Sequence, residues 1–141
     1  MALYTKDDIL RQAGGKSYDR GIAYIDAIEE LSADDKYVDA AVRGSELYEV
    51  RIHLRSRGLH GECDCPWGEE GNFCKHCVAV ALVYLYEQEH GNKVDERFDV
   101  RAYLRSLDHE TLVGLLAEAA EGDRTLRKAL ERRGREARGL R

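Results

Sequence analysis

Residues 47–54 alternate without a break: Tyr48, Val50, Ile52 and Leu54 are apolar, and Glu49, Arg51 and His53 between them are polar. Successive side chains of a strand point to opposite faces, so this is the pattern of a half-buried β-strand. Residues 27–31, 36–42 and 59–63 predict three further strands. The polar run Ala33-Asp34-Asp35, the two-residue hairpin signal Gly44-Ser45 and the turn Ser56-Arg57-Gly58 separate them into an antiparallel meander. From Cys74 the period lengthens to that of a helix, with Val78, Ala81, Leu82 and Leu85 on one face and Val80, Val83 and Tyr84 widening it. A helix so apolar must pack against the sheet, and Gly91 is placed to end it.

Two short helices precede the strands. Thr5 can cap the first, which carries Leu10 and Ala13 and ends at Gly14-Gly15; Ser17 can cap the second, which reaches about Ile25. Beyond Asn92, Asp99, Asp108 and Asp123 can each cap a short helix, the middle one presenting Leu112, Leu115, Leu116 and Ala119. The predicted class is α+β, with a finger-like domain over residues 1–92, a helical appendage over 93–133 and a disordered basic tail over 134–141.

Composition narrows the function classes. The 141 residues fit one domain with appendages, 43% of them apolar and 35% charged. No apolar run approaches the ~18 residues of a membrane-spanning helix, so no membrane partner is expected. The N-terminal Met1-Ala2-Leu3-Tyr4-Thr5-Lys6 lacks the basic start and apolar stretch of a secretory signal, which makes a cytoplasmic location the default expectation. The net charge of −5 argues against a general coat for nucleic acid, but it is unevenly spread: residues 1–42 carry −4, residues 43–98 carry −3 and residues 99–141 carry +2. Any polyanion contact is therefore local.

All four cysteines fall in Cys63-Asp64-Cys65-Pro66-Trp67-Gly68-Glu69-Glu70-Gly71-Asn72-Phe73-Cys74-Lys75-His76-Cys77. In a reducing compartment, clustered Cys and His read as metal ligands rather than disulfides. The pattern is C-x-C, eight residues, C-x-H. Alternation at a strand end puts Cys63 and Cys65 on one side, and the turn-rich loop returns Cys74 and His76 to the same ion. Zinc takes such a set as a tetrahedron, and four protein donors leave no open position for catalysis. The candidate ligands are Cys63, Cys65, Cys74 and His76 for one structural Zn2+. Cys77 could replace His76 as the fourth; the alternative places it as a small hydrophobe on the buried helix face.

With its context, this stretch resembles the SWIM-type zinc finger, on Cys63-Asp64-Cys65-Pro66-Trp67 and Phe73-Cys74-Lys75-His76-Cys77-Val78-Ala79. The upstream Arg20-Gly21-Ile22-Ala23-Tyr24 and residues 42–50 look like the lead-in of bacterial members. The resemblance implies strands leading to a metal loop and helix. It also implies a role in binding DNA or proteins, in company with helicase-like ATPases.

Two other signals invite enzymatic readings. Gly14-Gly15-Lys16-Ser17 ends like a phosphate-binding P-loop, but the full pattern needs glycine where Leu10 stands and a strand before it. Any helicase or ATPase activity then belongs to a partner. Cys74-Lys75-His76-Cys77 has the form of a thiol redox motif, but a meander precedes it instead of a βαβ unit. The expected function is a non-catalytic interaction module for nucleic acid or protein. Arg51, Arg55, Trp67 and Lys75 are the candidate nucleic-acid contacts, with Trp67 and Phe73 either stacking on bases or covering the metal. A pure protein adaptor docking through the Leu-rich segment 108–120 is the alternative, and a thiol redox protein a more distant one.

Overall fold

The computed structural model describes residues 3–139, which form two compact units, one ending at Arg97 and the other beginning at Phe98. In the first, helices α1 (Lys6–Ala13) and α2 (Gly15–Ile22) precede strands β1 (Ile28–Ala33), β2 (Tyr37–Arg43), β3 (Leu47–His53) and β4 (His60–Cys63). A short helix α3 (Pro66–Glu69), the long helix α4 (Lys75–Glu89) and the two-residue strand β5 (Asp95–Glu96) follow. The sheet order is β4-β3-β2-β1-β5, antiparallel throughout except for β5 beside β1.

The alternation of β3 decides which face is inside. Tyr48, Val50 and Ile52 sit opposite Val42, Ala40 and Val38 of β2, and all six are buried. Helix α4 covers this face with Cys77, Val78, Val80, Ala81 and Leu85, while Ile9 of α1 joins the same cluster. Each fully buried Val or Ile side chain contributes on the order of 1.5–3 kcal/mol, so the sheet–helix contact is the main apolar source of stability. The Tyr4 hydroxyl, buried, donates 2.6 Å to the Ala81 carbonyl of α4 and pins the N-terminal segment on that helix. The other sheet face is open and charged. Arg51 bonds Asp39 at 2.7 and 3.0 Å, and Arg97, just after β5, bonds both Asp39 (2.7 Å) and Asp34.

Several boundaries differ from the sequence expectation. The second helix starts at Gly15, not at Ser17, because Gly14 takes φ +82° and reverses the chain directly between the helices. Gly44, Ser45 and Glu46 form a three-residue loop, since Arg43 pairs with Leu47. The segment after Cys65 is the helical turn α3, with Pro66 at its first position, where proline's missing N–H is no loss. β5 is too short for any periodicity to announce it, and with Arg97 it carries the first unit past residue 92.

The second unit holds α5 (Val100–Arg105), α6 (His109–Gly122) and α7 (Arg124–Ala137), capped by the side chains of Asp99, Asp108 and Asp123 as their positions predict. α6 and α7 pack together, with Ala120 buried. The basic segment expected to be disordered from residue 134 is helical through Ala137. Arg, Glu and Ala all favour a helix, and one interior Gly134 costs only about 1 kcal/mol. Among the described residues no helix is long and apolar enough to cross a membrane.

Candidate metal centre

Strand β4 delivers Cys63 facing inward, paired across to Val50 of β3. Two residues on, Cys65 becomes the N-cap of α3, its Sγ accepting the Gly68 amide at 3.3 Å. Asp64 between them points the other way, and its carboxylate takes the Glu49 amide at 2.8 Å, fastening the loop to β3. Gly68 has no room for a side chain: a Cβ there would collide with the Cys63 carbonyl and lie 2.8 Å from the Cys63 Cβ. The loop is thus folded tightly back on the strand end. It returns to Cys74, the N-cap of α4, and His76 in that helix's first turn.

The four donor atoms of Cys63, Cys65, Cys74 and His76 lie within 4.8 Å of one another, and all four residues are buried. His76 Nδ1 is 3.7 Å from both Cys63 Sγ and Cys74 Sγ. A tetrahedron with zinc–sulfur bonds of about 2.3 Å and zinc–nitrogen bonds of about 2.0–2.1 Å has edges of about 3.6–3.8 Å. The cysteines are free thiols. The donor set fits one structural zinc ion, which would supply folding free energy by joining a strand end to a helix start, on the order of 10 kcal/mol in isolated finger peptides. Four protein donors close the shell.

The surroundings suit thiolate ligands. Hydrogen bonds from the Cys63 and Cys77 thiols hold Cys74 well below the ordinary thiol range. The same bond to Cys74, together with burial, pushes Cys63 and Cys77 up, and burial raises Cys65. Cys77 Sγ sits 3.9 Å from Cys74 Sγ, completely buried and outside the four-donor group. It faces one ligand as a neighbouring thiol. With Nδ1 turned to the sulfurs, His76 Nε2 is left buried with no hydrogen-bond partner among the described residues. The imidazole is held instead by rings, Tyr24 edge-on and Tyr48 tilted, each with its centroid 4.9 Å away. Gly44 closes that cradle, since a Cβ there would stand 3.2 Å from Nε2.

These elements, from the middle strand through the metal loop into the buried helix, correspond to a known family. Residues 48–85 match the family model of the SWIM zinc finger. The SWIM segment therefore begins at Tyr48 of β3, one wall of the His76 cradle, and ends at Leu85, the last buried residue of α4. Nothing matches the chain among curated proteins or among solved structures.

The candidate nucleic-acid residues are not gathered in one place. Arg51 and Arg55 belong to the open sheet side, bound to Asp39 and to Asp35 (3.1 Å) respectively. Trp67 and Lys75 belong to the metal loop and line one cleft with Lys16, Ser17 and Arg20 of α2. Of the two loop aromatics, Phe73 is buried against Gly61 and Ile52, whereas Trp67 is 54% exposed. Lys16 and Arg20 had a sequence signal that was readable: a four-residue spacing on one helix face, followed by Gly21.

Proposed function

We propose that the chain is a non-catalytic interaction module, zinc-stapled, that binds nucleic acid through the outer side of the metal loop. The observation carrying this is the contrast between its two charged surfaces. On the sheet, Arg43, Arg51, Arg55 and Arg97 are matched to carboxylates and have little charge to offer a phosphate. On the metal-loop side, Lys75 has no acidic partner within ion-pair distance among the described residues, and the exposed Trp67 stands beside it. The closed donor shell supports a structural role for the metal. A helicase-like ATPase is a fitting protein partner, because Gly14-Gly15-Lys16-Ser17 lies between two helices and offers no strand-borne P-loop.

Binding at increasing salt tests this. Each contacted phosphate contributes a log–log slope of about −0.9 on duplex DNA and about −0.7 on single strands. The expected result is weak binding that falls with salt; no binding to single- or double-stranded probes at low salt would refute it. A protein-adaptor reading draws on a separate observation, the exposure of Val113, Leu115 and Leu116 on α6. A salt-insensitive protein complex abolished by Leu115→Asp would favour it.

A further inference from the structure

We infer that the cleft between α2 and the metal loop is a site for one nucleotide unit of a single strand, its phosphate held by Lys16, Arg20 and Lys75 and its base stacked on Trp67. This deepens the function proposed above and requires that the chain bind nucleic acid at all.

The cleft has a volume of about 500 Å³, within the range of small-ligand sites, and none of the residues lining it is acidic. Three cations meet there from two elements. Lys16 and Arg20 are one turn apart on α2, so they project from the same face, and Lys75 is the first residue of α4. Gly21 brings the two helices this close: a Cβ on it would run into Val78 and lie 2.8 Å from the Lys75 carbonyl oxygen. Like charges one turn apart repel, and among the described residues none of the three has an ion-pair partner. Three thiolates and one Zn2+ carry a net charge of about −1, which leaves the cleft positive. An arriving phosphate relieves the repulsion, and the Ser17 side chain adds a hydroxyl donor. Lys75 is already oriented, its Nζ 4.9 Å from the Tyr24 ring centroid.

Trp67 selects the form of the nucleic acid. It is the chain's single tryptophan and is 54% exposed on the same cleft. An aromatic face of this kind stacks on an unpaired base, which a duplex keeps inside its own stack. The other large cleft, about 570 Å³ on the open sheet face, is lined by Glu30, Asp39, Glu49, Glu62, Asp64 and Glu69 and repels phosphate.

Because Trp67 is the only indole, its emission reports directly on stacking. The whole zinc-loaded protein is titrated with a labelled single strand and with a hairpin duplex of the same sequence, reading probe anisotropy and Trp emission together. The expected result is quenching by the single strand, with weaker binding of the duplex. Trp67→Ala should weaken single-strand binding about tenfold. Lys16→Glu with Arg20→Glu should weaken it further and flatten the salt slope by about 1.4. Arg51→Gln with Arg55→Gln is the control on the other face and should change affinity less. Zinc content and circular dichroism establish that each variant is folded. Binding without quenching, or binding untouched by Lys16→Glu with Arg20→Glu, would overturn the site while leaving nucleic-acid binding standing. No anisotropy change with either probe would overturn both.

Discussion

Helix α2 contains two glycines whose replacement by alanine should have opposite consequences. Gly21 lies against α4: an added Cβ would collide with Val78 and stand 2.8 Å from the Lys75 carbonyl oxygen. Val78 is completely buried and the carbonyl is backbone, so neither can move aside cheaply. Overpacking of this kind costs about 1–3 kcal/mol, and the backbone contact places Gly21→Ala at the upper end. At about 4–8 °C per kcal/mol for a domain of this size, Tm should fall by roughly 12 °C or more. Gly15 opens the same helix with nothing within 4 Å of its would-be Cβ and no left-handed φ. Gly15→Ala should therefore be neutral or stabilising by up to about 1 kcal/mol, from helix propensity and a less flexible unfolded chain. Thermal melts of the two variants, followed by circular dichroism in zinc-containing buffer, make the comparison. Equal melting temperatures would refute the docking of α2 on α4, and with it the meeting of Lys16 and Arg20 with Lys75.

Further outcomes follow from the metal centre and the core. Cys74→Ser should lose zinc and fold, whereas Cys77→Ala should keep one zinc per chain and lose about 1–2 kcal/mol of stability, measured by elemental analysis and urea melts. Tyr4→Phe removes one buried hydrogen bond to the Ala81 carbonyl and should cost about 1 kcal/mol in the same melts. Burial pushes the Asp39 carboxyl up, but Arg51 and Arg97 outweigh it and hold it below the ordinary carboxylate range. A depressed pKa adds stability above the unfolded value of about 3.9, lost as pH falls through the folded value. Asp39→Asn should thus cost about 1 kcal/mol at neutral pH, and urea melts should show the gap to wild type closing below about pH 4.

How far this molecule could be read from its sequence depended on whether a feature was local. The alternation of β3 placed Tyr48, Val50 and Ile52 on the inner face, because strand periodicity needs no knowledge of partners. The Asp caps of the last three helices and the C-x-C and C-x-H pairs were visible for the same reason: each contact joins residues two or three apart. Features that required distant segments to meet were not visible. β5 exists only because β1 lies beside it, and Arg97 because Asp34 and Asp39 are in reach. The choice of Nδ1 as the His76 donor depends on Tyr24, Tyr48 and Gly44 closing round the ring. Arg51 and Arg55 looked available in sequence, and only the sheet register showed the former opposite Asp39. Lys16 and Arg20 join Trp67 and Lys75 through the packing of α2 on α4, which no spacing records.

The account turns on an ion joining the end of β4 to the start of α4. Inductively coupled plasma mass spectrometry of the native, reduced protein, normalised to chain concentration, addresses it directly. One zinc per chain is the predicted result. A cooperatively folded chain carrying no metal would contradict it.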